Sequence, residues 1–254
     1  MVRIIDVCSG KGGVGKTTIA ANLGLALTQL GKKVAVVDCN LTTSHLSLLF
    51  RNYSYSLTLN NFLKGEARFE DVVYTHPSGL RIVPASLELK DLVDVDVGNF
   101  REKLKENFKD FDIVLLDSAP GLGKEALIAL QAADEVLFVA NPYITSLVDV
   151  TKCNKLLNSL DSRPIAIGVV LNRVRKKTYE ISADEAREFT ELPVIGIVPE
   201  DEKVLESINK RTLVSILHKN SPSSKAIFEI ASKLAGIEYK KPSFLEIFFG
   251  IFKR

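Results

Sequence analysis

The residues best suited to chemistry form one run, SGKGGVGKTT, from Ser9 to Thr18. Gly10 to Thr17 fit the spacing G-x-x-x-x-G-K-[ST], directly after a strand-like stretch and directly before a helical one. That context is the one a phosphate-binding loop requires. Glycines let backbone N–H groups converge on phosphate oxygens, and the start of the helix adds positive potential. Gly10, Gly12, Gly13, Val14, Gly15 and Thr18 are the candidate cradle for ATP. Lys16 is placed to reach the β- and γ-phosphates, and the Thr17 hydroxyl to ligate Mg²⁺. Lys11 is a further cation that an ordinary loop of this type does not need; its bland reading is a solvated surface lysine.

Two acids belong to the same chemistry. Asp38 ends the run VAVVD, and Asp117 ends DIVLLD just ahead of a Pro-Gly turn. An aspartate at a strand end can hold a metal-bound water, so both are candidate metal residues; the plainer role is a cap or turn. Asn40 follows Asp38 by two positions. Its amide can orient a water but cannot accept a proton, or it simply shapes the loop. His45, in LTTSHLS, lacks catalytic partners in the sequence and reads as packing or surface.

These residues need a scaffold that brings strand ends together. IIDVCS, VAVVD, LRIVPA, DIVLLD, EVLFVA, IAIGVVLN and PVIGIVP read as strands, and helical stretches separate most of them, such as Lys16 to Leu30, Lys124 to Ala133 and Thr145 to Leu160. Continuous apolar strands with intervening helices predict an α/β fold: a three-layer, doubly wound, mainly parallel sheet covered on both faces. Ligands in such folds lie at the carboxyl ends of the strands.

Bulk properties agree with one such domain. The chain has 254 residues, 46% hydrophobic and 25% charged, with a net charge of +2. That charge is too slight to argue for nucleic acid. Cys8, Cys39 and Cys153 are odd in number and far apart, which suggests buried thiols in a reducing cytoplasm instead of a disulfide or metal cage. The first residues lack signal-peptide organisation, and no apolar run approaches the ~20 residues that span a bilayer.

The chain ends on PSFLEIFFGIFKR. At about 100° per residue, Phe244, Leu245, Ile247, Phe248, Phe249, Ile251 and Phe252 share one broad face. Glu246, Gly250, Lys253 and Arg254 share the other, and Lys240 and Lys241 lie upstream. The pattern is that of an interfacial amphipathic helix with basic flanks, suited to an anionic membrane surface. The alternative is a final helix packed on the core or on a dimer partner. The expected division is a P-loop domain over residues 1–235, a tether over 236–242 and the amphipathic helix over 243–254.

With its second lysine, KGGVGKT resembles the deviant Walker A ATPases, the family of MinD, ParA, the nitrogenase iron protein and the Mrp-type carriers. The resemblance implies an ATP-linked homodimer in which Lys11 crosses to the partner's nucleotide. It implies catalytic roles for Lys11, Lys16, Asn40 and Asp117, with VVDCN and DSAPGLG as two switch segments. MinD-like members usually carry Asp where Asn40 stands, so slower hydrolysis is expected. ANPYITSLVD is similar to the run leading into a MinD regulatory helix. VVLNR and IVPED fall where MinD-like proteins enclose adenine, which nominates Asn172, Arg173, Pro199 and Asp201. MinD-like proteins also end in a comparable membrane-targeting helix. The leading expectation is therefore a MinD-like ATPase, cytoplasmic and peripheral on the membrane, that positions other proteins through a regulator or cargo the sequence does not identify. A ParA-like DNA-segregation ATPase is the alternative, disfavoured by the weak charge and by the tail. A weaker one is an Mrp-like iron–sulfur carrier, which would want paired cysteines after Cys153.

Overall fold

The computed structural model describes residues 1–51, 55–88, 91 and 95–238. The expected amphipathic helix (243–254) and residues 239–242 of the tether lie outside the described residues.

Eight strands form one sheet: β1 Arg3–Cys8, β2 Val34–Cys39, β3 Tyr74–Thr75, β4 Arg81–Val83, β5 Ile113–Ser118, β6 Glu135–Ala140, β7 Ile165–Val174 and β8 Val194–Pro199. The helices are α1 Lys16–Gln29, α2 Leu59–Leu63, α3 Phe100–Asn107, α4 Lys124–Ala132, α5 Ile144–Leu157, α6 Ala183–Thr190, α7 Glu202–Asn209, α8 Val214–Leu217 and α9 Pro222–Ala235. The strand order is β3-β4-β2-β5-β1-β6-β7-β8. Every neighbouring pair is parallel except β3 with β4. The seven strands expected from the sequence are all present, and the sheet is mainly parallel as expected. The short antiparallel β3 was not foreseen, because two residues carry no periodicity.

Strand alternation divides the core into layers. Ile5, Val7, Val36, Leu115 and Leu137 face α1, α8 and α9, against Leu23, Leu27, Val214, Ile227 and Ile230. Ile4, Val37 and Leu116 face the other way, against Leu59, Leu63, Leu104 and Ala129 of α2, α3 and α4. Cys8, Phe138 and Leu171 meet Leu147, Val150 and Ala186 of α5 and α6 on that same side. Helix ends follow local chemistry. Ser221 caps α9 by accepting from the Ser224 N–H, with Pro222 in the first turn, and Gly236 closes the helix at φ 68°.

The end of α9 is fixed to the floor of the sheet. Arg3 pairs with Glu135 through two bonds, at 2.9 and 2.7 Å, and donates a third to the Leu234 carbonyl at 2.8 Å. Arg3 opens β1, and the glycine-rich loop follows the other end of that strand. The chain after α9 therefore leaves near the strand ends opposite the loop.

Candidate functional site

The loop between β1 and α1 curls through positive φ at Gly13 (80°) and Gly15 (94°). Two glycines also allow close approach. A Cβ at Gly10 would lie 2.2 Å from the Asp149 Cβ of α5, and one at Gly15 would lie 2.3 Å from the Asn172 amide nitrogen. The α1 N-terminus has no side-chain cap and no acid in its first turn, so its first N–H groups are not committed to a side chain of the helix start. Ser9, Lys11 to Thr18, Asn40, Thr43, His45, Pro120 and Arg173 line a cavity of about 340 Å³ there. His45 is exposed at its rim.

Beneath the loop lies a cluster of buried charge. The Lys16 ammonium contacts Asp117 Oδ1 at 2.9 Å, and both side chains are buried. Asp38 and Asp117 are directly opposite one another on β2 and β5, on the α1 side of the sheet. Burial works against the Lys16 charge, but Asp117, Asp6 and Asp38 together outweigh it and hold the ammonium above its ordinary value. Burial, then repulsion from Asp117, pushes Asp38 up to about 7. Asp38 is also held by the Ser44 hydroxyl at 2.6 Å and by the Asn40 N–H at 3.0 Å. Asp38 and Asp117, side by side at the ends of β2 and β5, and Thr17 at the start of α1 offer only oxygen donors, the kind Mg²⁺ favours. They fit the expected metal.

The other expected residues are placed as follows. Lys11 donates to the Thr145 hydroxyl at 3.3 Å, at the start of α5. The Asn40 amide is held by Thr43: it donates to the carbonyl at 2.8 Å and accepts from the N–H at 3.3 Å and the hydroxyl at 3.0 Å. In this state Asn40 shapes its loop. Asn172, Arg173, Pro199 and Asp201 line one slot with Ile19, Val198, Val204 and Leu205, beside Gly15 and Thr18. Its apolar walls suit a flat base. Two of the residues are also committed to the framework. Asn172 donates its amide N–H to the Val14 carbonyl at 2.7 Å, bracing the loop. The Asp201 carboxylate caps α7 through the Lys203 N–H and accepts from Ser223, whose hydroxyl is 2.7 Å away. Burial raises the Asp201 pKa, but the Ser223 and Lys203 bonds prevail and hold it below the ordinary value.

Asp6 was not anticipated as part of this cluster, although an acid inside IIDVCS was a visible signal. It is fully buried, and neither carboxylate oxygen has a hydrogen-bond partner in sound geometry. The nearby Ser118 hydroxyl eases its charge but is itself directed to the Val7 carbonyl at 3.1 Å. Burial pushes Asp6 up to about 7, against the opposing influence of Ser118 and Lys16. A carboxyl with a raised pKa contributes stability that is full below its unfolded value of about 3.9 and is lost as pH rises through about 7. Asp6→Asn, which removes that proton linkage, should gain stability over the wild type as pH rises, by on the order of a few kcal/mol. Urea midpoints at about pH 5 and about pH 8 check this, and a gap between the two proteins that stays constant would refute it.

Comparison with known proteins agrees with the geometry. The model of the CobQ/CobB/MinD/ParA nucleotide binding domain matches residues 5–214. An uncharacterized ATP-binding protein of Methanocaldococcus jannaschii is 38% identical over 261 aligned residues, covering 100% of this chain and 98% of that protein. The septum site-determining protein MinD of Pyrococcus horikoshii, solved with Mg-ADP, matches with a TM-score of 0.88 and 31% identity over 95% of this chain and 100% of that one. MinD of Aquifex aeolicus, solved in a MinC:MinD complex, matches with a TM-score of 0.83 and 29% identity over 95% and 99%. Since the loop, both strand-end acids and the slot beside the loop all fall inside the matched span, the chain belongs to the CobQ/CobB/MinD/ParA family of nucleotide-binding P-loop proteins.

Proposed function

We propose that this protein is a MinD-like switch ATPase: it dimerises around ATP, holds a membrane through its C-terminal tail while dimeric, and positions other proteins until hydrolysis releases it. The observation that carries this reading is Lys11. It stands at the mouth of the phosphate cavity, bonded only to a neutral hydroxyl, and among the described residues no carboxylate neutralises it. A cation held there without a counter-charge is suited to a second molecule's phosphates.

The residues divide the work. Backbone N–H groups from Gly12 to Thr18 and the Lys16 ammonium bind the phosphates. Thr17, Asp38 and Asp117 would hold Mg²⁺, which neutralises phosphate charge when bound. Lys16 would exchange its contact with Asp117 for the β/γ-phosphates. Ile19, Pro199, Val204 and Leu205 sandwich the adenine, with Arg173 at the seam between base and phosphates. Asn40, held by Thr43, orients the attacking water through its second amide N–H. Positioning and charge dominate phosphoryl transfer, so hydrolysis proceeds slowly with no carboxylate at that position. The MinC:MinD complex of the Aquifex relative supports a protein partner; α5, beginning beside Lys11, is the surface we assign to a regulator.

The tail, through Phe244, Leu245, Ile247, Phe248, Phe249, Ile251 and Phe252 with Lys253 and Arg254, is proposed to bind the cytoplasmic face of the membrane. The chain leaves α9 at the end of the sheet opposite the loop, about six strand residues or ~20 Å away, so the nucleotide site and the start of the tether stand apart. Dimerisation couples them. A single short amphipathic helix binds weakly, and two on one dimer raise avidity on the order of 10²-fold or more. Co-sedimentation with vesicles of anionic lipid is the test. The intact chain should bind far better with ATP than with ADP, and a chain truncated after Lys241 should not bind. Equal binding with both nucleotides, or binding by the truncated chain, would overturn the proposal; ATP-dependent retention on DNA instead of vesicles would favour the segregation-ATPase alternative.

A further inference from the structure

The segment from Asn40 to Leu46 is closed on itself. Asp38 accepts from the Asn40 N–H and the Ser44 hydroxyl, and from the Leu46 N–H at 3.4 Å. Thr43 holds the Asn40 amide through three bonds. Thr42 is left at the exposed tip, and both of its donors turn the same way. Its hydroxyl donates to Glu125 Oε1, and its N–H to Glu125 Oε2 at 3.4 Å. Glu125 lies in the first turn of α4, just past the Pro-Gly turn that follows Asp117. One carboxylate thus joins the segment behind Asp38 to the segment behind Asp117.

An acid in the first turn of a helix is favourable in its own right. That accounts for a glutamate at this place, but not for both its oxygens meeting one residue of another segment. Among the described residues Glu125 makes no ion pair, so neutralising a cation is not its task either. The path onward is short. Thr42 is covalently next to Thr43, and Thr43 is the residue that fixes the Asn40 side chain.

We propose that Glu125 is a positioning residue for ATP hydrolysis: through Thr42 it sets the loop that places Asn40, so that the two metal-side segments move as one. This rests on the hydrolysing role proposed above. Without Glu125 the Thr42 tip is released, and the loop samples arrangements in which Asn40 is misplaced. Nucleotide binding through the P-loop does not pass through this contact and stays unchanged.

The test uses the full chain with Glu125→Ala, Thr42→Val, the double variant, Glu125→Gln and Thr42→Ser. Calorimetry should give the same ATP affinity for all. Single-turnover hydrolysis should fall about tenfold in Glu125→Ala and in Thr42→Val, the loss expected of one charge-assisted bond, and no further in the double variant. Thr42→Ser keeps the hydroxyl and should stay within about threefold of the wild type, and Glu125→Gln, which keeps one acceptor but loses the charge and the other acceptor, should fall between the wild type and Glu125→Ala. Wild-type rates in Glu125→Ala, multiplying effects in the double variant, or a Glu125→Gln as slow as Glu125→Ala would overturn the proposal. Amide exchange without nucleotide supplies a readout independent of hydrolysis: residues 41–46 should exchange faster in Glu125→Ala. If the wild type binds ATP but never hydrolyses it, the ATPase role fails; unchanged exchange in Glu125→Ala refutes the strap itself.

Discussion

Lys16→Ala should weaken ATP–Mg²⁺ binding by at least about a hundredfold, equivalent to roughly 3 kcal/mol. Two losses combine. The cation facing the β/γ-phosphates disappears, and truncating one partner of a buried charge pair costs about 2–5 kcal/mol. The second loss appears even without nucleotide. Asp117 and Asp38 are buried, Asp6 is buried on β1 on the other face of the sheet, and Lys16 is the cation that all three share. Removing it leaves carboxylates without a counter-charge, and the apo protein should lose about 3–5 kcal/mol at neutral pH. Acidification should return part of that stability, because protonation relieves the unpaired acids. Calorimetry with ATP and urea melts at neutral and mildly acid pH measure the two parts. Unchanged ATP affinity in the folded variant would rule out the phosphate role of Lys16.

Lys11→Ala should show the opposite division. Its bond to Thr145 is a single neutral contact near the surface, so its loss should change monomer stability by less than about 1 kcal/mol. ATP affinity of the single chain should stay within about threefold, since the cradle and Lys16 are intact. The ATP-dependent dimer should be lost altogether, and ATP-enhanced vesicle binding with it. Sedimentation velocity with a slowly hydrolysed ATP analogue separates the cases. A normal dimer in Lys11→Ala would show that Lys11 is an ordinary surface lysine and would remove the link between nucleotide and tail. The pair of variants is informative together: Lys16, buried against Asp117 at the start of α1, and Lys11, at the mouth of the cavity, are expected to fail at different steps.

The sequence by itself determined the architecture and the kind of site. Apolar runs such as EVLFVA and DIVLLD can be buried on both sides only in a covered, mainly parallel sheet, and the structure has β6 at Glu135–Ala140 and β5 at Ile113–Ser118. GKGGVGKT fixed the loop, because its glycines and its Lys-Thr pair act through local backbone geometry that neighbouring residues specify. Tertiary structure alone decided which side chains are free to act. Nothing in VVLNR shows that Asn172 donates to the Val14 carbonyl, or in IVPED that Asp201 is held by Ser223. Nothing in LTTSHLS points to Glu125 across the fold. These contacts join residues far apart in the chain, and their partners are set by strand order and helix packing, which no local pattern encodes. The charge state of Asp6 belongs with them: its acid was visible in the sequence, but the burial that lifts it to about 7, and the shared Lys16 that opposes it, exist only once β1, β2 and β5 lie side by side.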